Sequence, residues 1–173
     1  MRRALPWLLG IVLAAAAVHV AAVAALPYVI MSRVLGALAA LGGVNTLVHP
    51  PLATDASRTV VRPSPDLAYS SAVFDVSERP LHVVVPLSAP YTSLSGFATN
   101  TDNFFAVNDL TAGGDVIDVV IVGPGTKREG LEGSRVVESP TDRGVLLVRR
   151  VVPSTGAFPA IDGVRQRARA EQR

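Results

Sequence analysis

The chain has no cysteine in its 173 residues. That removes a disulfide framework, a thiol nucleophile and any thiolate metal site at one stroke. Lysine is nearly absent too: Lys127 is the one lysine among 16 basic residues, an arginine bias that reads as base composition rather than chemistry. The formal net charge of +2 is too small to argue for nucleic acid, and the basic residues are dispersed until the C-terminus. Aromatics make up 5% of the chain and histidines number three, at 19, 49 and 82, in unrelated contexts, so a zinc set is not expected. Also missing are a Gly-x-Ser-x-Gly elbow, a Walker spacing and any cofactor loop. No cofactor and no metal are expected on these grounds.

What the sequence has instead is one long apolar run. Residues 4–26, ALPWLLGIVLAAAAVHVAAVAAL, carry no formally charged side chain and follow Arg2 and Arg3 directly. As a helix this run spans roughly 35 Å, enough to cross a hydrocarbon core of about 30 Å. The positive-inside rule keeps the two arginines in the cytoplasm and sends the rest of the chain outward. Ala22-Val23-Ala24 has the small-x-small form of a signal cleavage site, so a cleaved signal is the competing reading, although its apolar core normally runs only 7–15 residues. His19, inside the run, reads as a tolerated neutral imidazole.

Residues 27–43 place Val29, Ile30, Val34, Leu38 and Leu41 near helical spacing. Pro27 suits a helix start and Gly42-Gly43 a stop, which predicts a short amphipathic helix separated from the anchor by a break at Pro27. From residue 57 onward the pattern shifts to short β-like runs: 58–62, 68–76, 81–85, 93–99, 104–107, 115–122 and 145–152. Turn chemistry lies between them, at Pro63-Ser64-Pro65, Glu78-Arg79-Pro80, Ala112-Gly113-Gly114 and Gly123-Pro124-Gly125. Short strands without helical patterns between them predict a mainly β fold, an antiparallel sandwich or partly rolled sheet, over residues 44–152. Gly123–Gly125 reads as a hairpin connection. Asp118, alone among the valines and isoleucines of 116–122, should sit at an edge or pair with an arginine. Residues 153–173 read as a C-terminal tail with a short helix that frays, its Arg165, Arg167, Arg169 and Arg173 solvated.

Two polar clusters can carry chemistry. The first, residues 45–71, offers Asn45, His49, Arg62, Asp66, Tyr69 and Ser70. His49 with Asp66 can act as a general base beside Tyr69, and Arg62 can take a carboxylate or phosphate bidentately. The bland alternative is that Asp66 caps a turn and Arg62 pairs with it across the two prolines. The second cluster is Asn100-Thr101-Asp102-Asn103, with Asn108-Asp109 beyond it. Asn100, Asp102 and Asn103 supply oxygens of the kind calcium uses, but the EF-hand spacing is absent and Asx-turns account for the same residues.

The residues from Val44-Asn45-Thr46-Leu47-Val48-His49 through Val60-Val61-Arg62-Pro63-Ser64-Pro65-Asp66-Leu67-Ala68-Tyr69-Ser70 carry a resemblance. It continues through Phe74-Asp75-Val76, Tyr91-Thr92-Ser93-Leu94 and Asn100-Thr101-Asp102-Asn103-Phe104-Phe105. Together they resemble the domain of unknown function 1254 family of bacterial exported proteins, over about residues 44–150. The resemblance implies a fold and a compartment, the bacterial inner membrane with the domain in the periplasm. It brings no reaction with it. Larger relatives join this domain to a second, C-terminal one. The partners to expect are the bilayer, through residues 4–26, and an envelope protein; nucleic acid is not among them. Two function classes stay open: a membrane-tethered protein that binds a partner or small ligand, and a hydrolase using His49, Asp66 and Tyr69 with Arg62 orienting an anionic substrate.

Overall fold

The computed structural model describes residues 4–58, 62–127, 130–131 and 133–173. A single helix, α1, runs unbroken over Leu5–Gly42. At 1.5 Å per residue it is about 57 Å long. The break expected at Pro27 does not occur: the proline sits inside the helix, which continues into residues 28–42. A proline costs the helix interior one hydrogen bond. The long helical runs on both sides of Pro27 outweigh that loss. The stop at Gly42-Gly43 does occur, with Gly43 at φ 84° and its N–H donating to the Ala39 carbonyl. Glycine reaches that left-handed region without strain.

The two halves of α1 live in different surroundings. Every residue from 4 to 26 is exposed, whereas Pro27, Met31, Val34, Leu35, Leu38, Ala39 and Gly42 are covered. These positions form one stripe at i, i+4, i+7 and i+8 spacing, the face a packed helix buries. The stripe lies against the strands β1 (Leu67–Asp75) and β7 (Arg143–Val151), and Met31 is 7% exposed.

The remaining strands are β2 (Leu81–Pro86), β3 (Thr92–Ala98), β4 (Asn103–Asn108), β5 (Val116–Val122), β6 (Arg135–Glu138) and β8 (Arg169–Gln172). They build two four-stranded sheets, ordered β1-β7-β3-β4 and β6-β5-β2-β8. Six of the expected runs are found as strands within a residue or two; the seventh, 58–62, lies largely outside the described residues. The two sheets face one another as a sandwich. Ala72, Phe74, Leu94, Leu146 and Val148 of the first meet Leu81, Val83, Val85, Ile117, Val119 and Ile121 of the second, all fully buried or nearly so. Alternation in β2, with Leu81, Val83 and Val85 inward, is the period of two that a half-buried strand requires.

Three expectations need correction. Strands β5 and β6 are parallel, so Gly123-Pro124-Gly125 opens a crossover and not a hairpin connection. Asp118 sits on β5 between β6 and β2, away from any edge, and its partner is His82 rather than an arginine. The C-terminus does not fray. A short 3₁₀ turn, Thr155–Ala157, leads into α2 (Phe158–Arg165), and β8 then pairs antiparallel with β2 from Arg169 to Gln172. Burial of Ile161 with Ala68 and Val152 holds α2 on the end of the sandwich.

Candidate functional site

Asn45 is the first of the expected site residues, and it works as a stitch. Its side-chain amide exchanges two hydrogen bonds with the Asp75 backbone, Nδ2 to the carbonyl at 3.0 Å and Oδ1 from the N–H at 2.8 Å. With the Val44–Val73 and Val48–Ser71 bridges, it lays residues 44–48 along the free edge of β1. Its φ of 59° is one that asparagine accepts more readily than most residues. This stitching delivers His49 to the end of the sandwich.

There His49 Nδ1 lies 2.7 Å from Ser70 Oγ on β1. Burial is the main cause that lowers the His49 pKa; the nearby Arg165 and Arg150 lower it further, and Asp162 opposes them. The imidazole is therefore held neutral. Ser70 is fully buried, which removes it from reach of a substrate. Tyr69 points its hydroxyl elsewhere, accepting from the Ser64 N–H at 3.0 Å.

Two buried arginines surround this pair: Arg150, which the sequence did not mark out, and Arg165, expected to be solvated and found buried instead. Arg165 of α2 is 2% exposed and almost fully bonded. Its Nε donates to Asp162 at 2.7 Å, and its Nη1 donates to the carbonyls of Pro50 at 2.8 Å and Tyr69 at 2.9 Å. The guanidinium also lies 5.4 Å from the Phe158 ring centre. One side chain thus pins α2 to the 49–52 segment and to β1. Arg150 of β7 is 0% exposed yet poorly bonded. Its Nη2 donates to the Pro86 carbonyl at 2.8 Å, while Nε and Nη1 have no partner among the described residues. Burial, reinforced by Arg165, pulls its pKa down to about 10, which still leaves it charged at neutral pH.

Arg62 and Asp66 lie apart from this cluster. Both are exposed, and no ion pair joins them among the described residues, so the expected pair across the prolines is not formed. Asp66 instead gives its carbonyl to the Val152 N–H, fastening the start of β1 to the end of β7. Neither the groove at residues 6–14 nor the one beside His82 is lined by His49, Asp66, Tyr69 or Arg62. Asn100, Asp102 and Asn103 occupy the turn between β3 and β4. Asn100 Nδ2 donates to Asp102 Oδ2 at 2.6 Å, the Asp102 N–H donates to Asn100 Oδ1, and Asn103 Nδ2 donates to the Gly96 and Phe105 carbonyls. Their polar atoms close the turn on itself, as Asx-turns do.

A second cluster lies on the outer face of the β6-β5-β2-β8 sheet. His82 Nε2 is 2.9 Å from Asp118 Oδ1. Burial would raise the Asp118 pKa, but the Ser134 hydroxyl, the His82 contact and the charge of Arg173 outweigh it and hold the carboxyl below its ordinary value. Beside the pair opens a groove of about 180 Å³ lined by His82, Val84, Arg169 and Glu171. Little in the residue pattern hints at it, because His82 and Asp118 stand 36 residues apart and β8 reads as no strand.

A solved structure shares the fold. The VPA0106 protein from Vibrio parahaemolyticus superposes with a TM-score of 0.58 at 15% identity, over 64% of this chain and 28% of that one. An uncharacterised protein from Burkholderia cenocepacia gives 0.48 at 14% identity, over 75% of this chain and 34% of that one. This chain therefore spans about a third or less of the length of both. No curated protein matches it. The family model described as "Protein of unknown function (DUF1254)" matches residues 44–172, which takes in both sheets and α2, and the chain belongs to that family.

Proposed function

We propose that this protein is a membrane-tethered envelope component whose β-sandwich, held outside the bacterial inner membrane, binds a partner or a small ligand. The observation that carries the reading is the division of α1. Residues 5–26 are apolar and exposed on every side, with nothing among the described residues to cover them, while residues 27–42 dock on the sandwich through one stripe. A bare apolar rod of about 33 Å costs too much in water at roughly 25 cal/mol per Å² of apolar surface, and it matches the thickness of a bilayer core. Arg2 and Arg3 ahead of it favour the orientation that places the sandwich in the periplasm. Because α1 is continuous, the tether is stiff, and it holds the domain close to the bilayer surface.

A C-terminal alkaline phosphatase fusion is expected to be active in a bacterial host, and carbonate washing is expected to leave the protein in the membrane pellet. An inactive fusion, with a cytoplasmic reporter active in its place, would refute the orientation; release by carbonate would refute the anchor. The hydrolase reading built on His49, Asp66 and Tyr69 with Arg62 has less support. Ser70 is buried, Arg62 and Asp66 face solvent apart from His49, and the polar atoms around Arg165 are consumed in holding α2.

A further inference from the structure

The groove beside His82 holds groups that the fold does not use. Arg169 and Glu171 lie two apart on β8, on the same face of the strand, and neither side chain makes an ion pair or hydrogen bond among the described residues. Glu171 stands directly across from His82, and Arg169 across from Val84. Alternate residues on a strand are spaced by roughly 6.5–7 Å, so the cation and the anion flank the groove without neutralising each other. Asp118 is ionised and can only accept, so His82 Nε2 carries the proton that points to it. With that tautomer Nδ1 can accept, and it has no partner among the described residues. The charges facing the groove also balance. Arg173 offsets the Asp118 charge, and the lining itself carries one cation, Arg169, and one anion, Glu171.

We propose that this groove is a binding site for a small zwitterion, an α-amino acid: Arg169 takes the carboxylate, Glu171 and His82 Nδ1 take the ammonium group, and Val84 packs against the side chain. A guanidinium suits a carboxylate as a bidentate donor, and two acceptors on the other side suit an ammonium group. A neutral site with one unpaired charge of each sign fits a molecule that carries both, and fits a bare anion or cation poorly. The volume of about 180 Å³ accommodates an amino acid with a short side chain. This inference rests on reading the exported domain as a binding module and names its ligand class.

Isothermal titration of the detergent-solubilised full chain at pH 7.5 tests it, with glycine and L-alanine as ligands and acetate and methylamine as half-molecules. The amino acids are expected to bind saturably and each half-molecule at least tenfold more weakly. Glu171→Gln and Arg169→Gln are each expected to weaken glycine binding at least tenfold while circular dichroism stays unchanged. Arg167→Gln, exposed just outside the strand, is expected to leave it intact. No heat with glycine from a folded chain overturns the site, as does acetate binding equal to glycine and indifferent to Glu171→Gln. Loss of membrane anchoring would leave this titration untouched, and a failed titration would leave the anchoring result standing, so the two readings fail separately.

Discussion

Arg165 and Arg150 are both buried cations, and the chain treats them in opposite ways. Arg165 has a carboxylate and two carbonyls in reach, so replacing it strands Asp162 and unbonds two carbonyls. Arg165→Met is expected to destabilise the protein by about 3–5 kcal/mol, read as a large fall in melting temperature. Arg150 has one bond and no counter-ion among the described residues, so its burial already costs the fold. Arg150→Met is expected to stay within about 1 kcal/mol of the parent or to exceed it, since an apolar side chain of similar volume escapes the desolvation penalty. Equal losses for the two variants would refute this contrast. His49 adds a pH dependence. Its pKa is lowered by folding, so the unfolded state binds the proton more readily, and stability falls as the pH drops through 6.5. Asp75 and Asp118 are also held below their ordinary value of 3.8, so their contributions are lost only in more acidic solution. Melting curves between pH 8 and 5 are therefore expected to fall for the parent and to flatten for His49→Gln. The Arg165 carbonyl contacts were not legible in the sequence. Its carbonyl partners lie 115 and 96 residues away, and a C-terminal run of arginines looks the same whether solvated or buried.

Among the elements, legibility followed length and period. Strands β1, β2, β3, β5 and β7 have six to nine residues with apolar positions set by their sheets, and each was readable as a run. Strands β6 and β8 have four residues each, too few to show alternation, and β8 reads as Arg-Ala-Glu-Gln, which no β propensity would select. Pairing with β2 overrides that propensity. In α1 the difficulty was Pro27, whose local preference for a helix start lost to the continuity of the apolar rod. The docked half of that rod makes its own prediction. Met31 is the buried point of the stripe, so Met31→Asp puts a carboxylate into an apolar contact and is expected to cost about 2 kcal/mol or more. Faster proteolysis near residue 43 would report the detachment. Ser32→Asp, one residue away on the exposed side, is expected to change neither measurement.

For the molecule as a whole, the sandwich and the exposed rod are separable bodies that share one helix. The sandwich has its own buried core, drawn from both sheets, and residues 4–26 contribute nothing to it. The mainly β character was legible from the turn spacing alone. The pairing of strands into two sheets was not, because neighbours such as β1 with β7, and β2 with β8, are far apart in sequence and no local pattern encodes them. A chain starting at residue 27 keeps the docking stripe and loses the bare rod. It is expected to be soluble without detergent, to give a predominantly β circular dichroism spectrum and to melt in one cooperative step. A chain starting at residue 44 also loses the stripe, which exposes the apolar face of β1 and β7 that α1 covers. It is expected to melt several degrees lower, as a loss of one or two kcal/mol does in a domain of this size. Equal melting of the two would mean that residues 27–42 do not stabilise the sandwich; a helix-dominated spectrum from the longer chain would overturn the fold assignment.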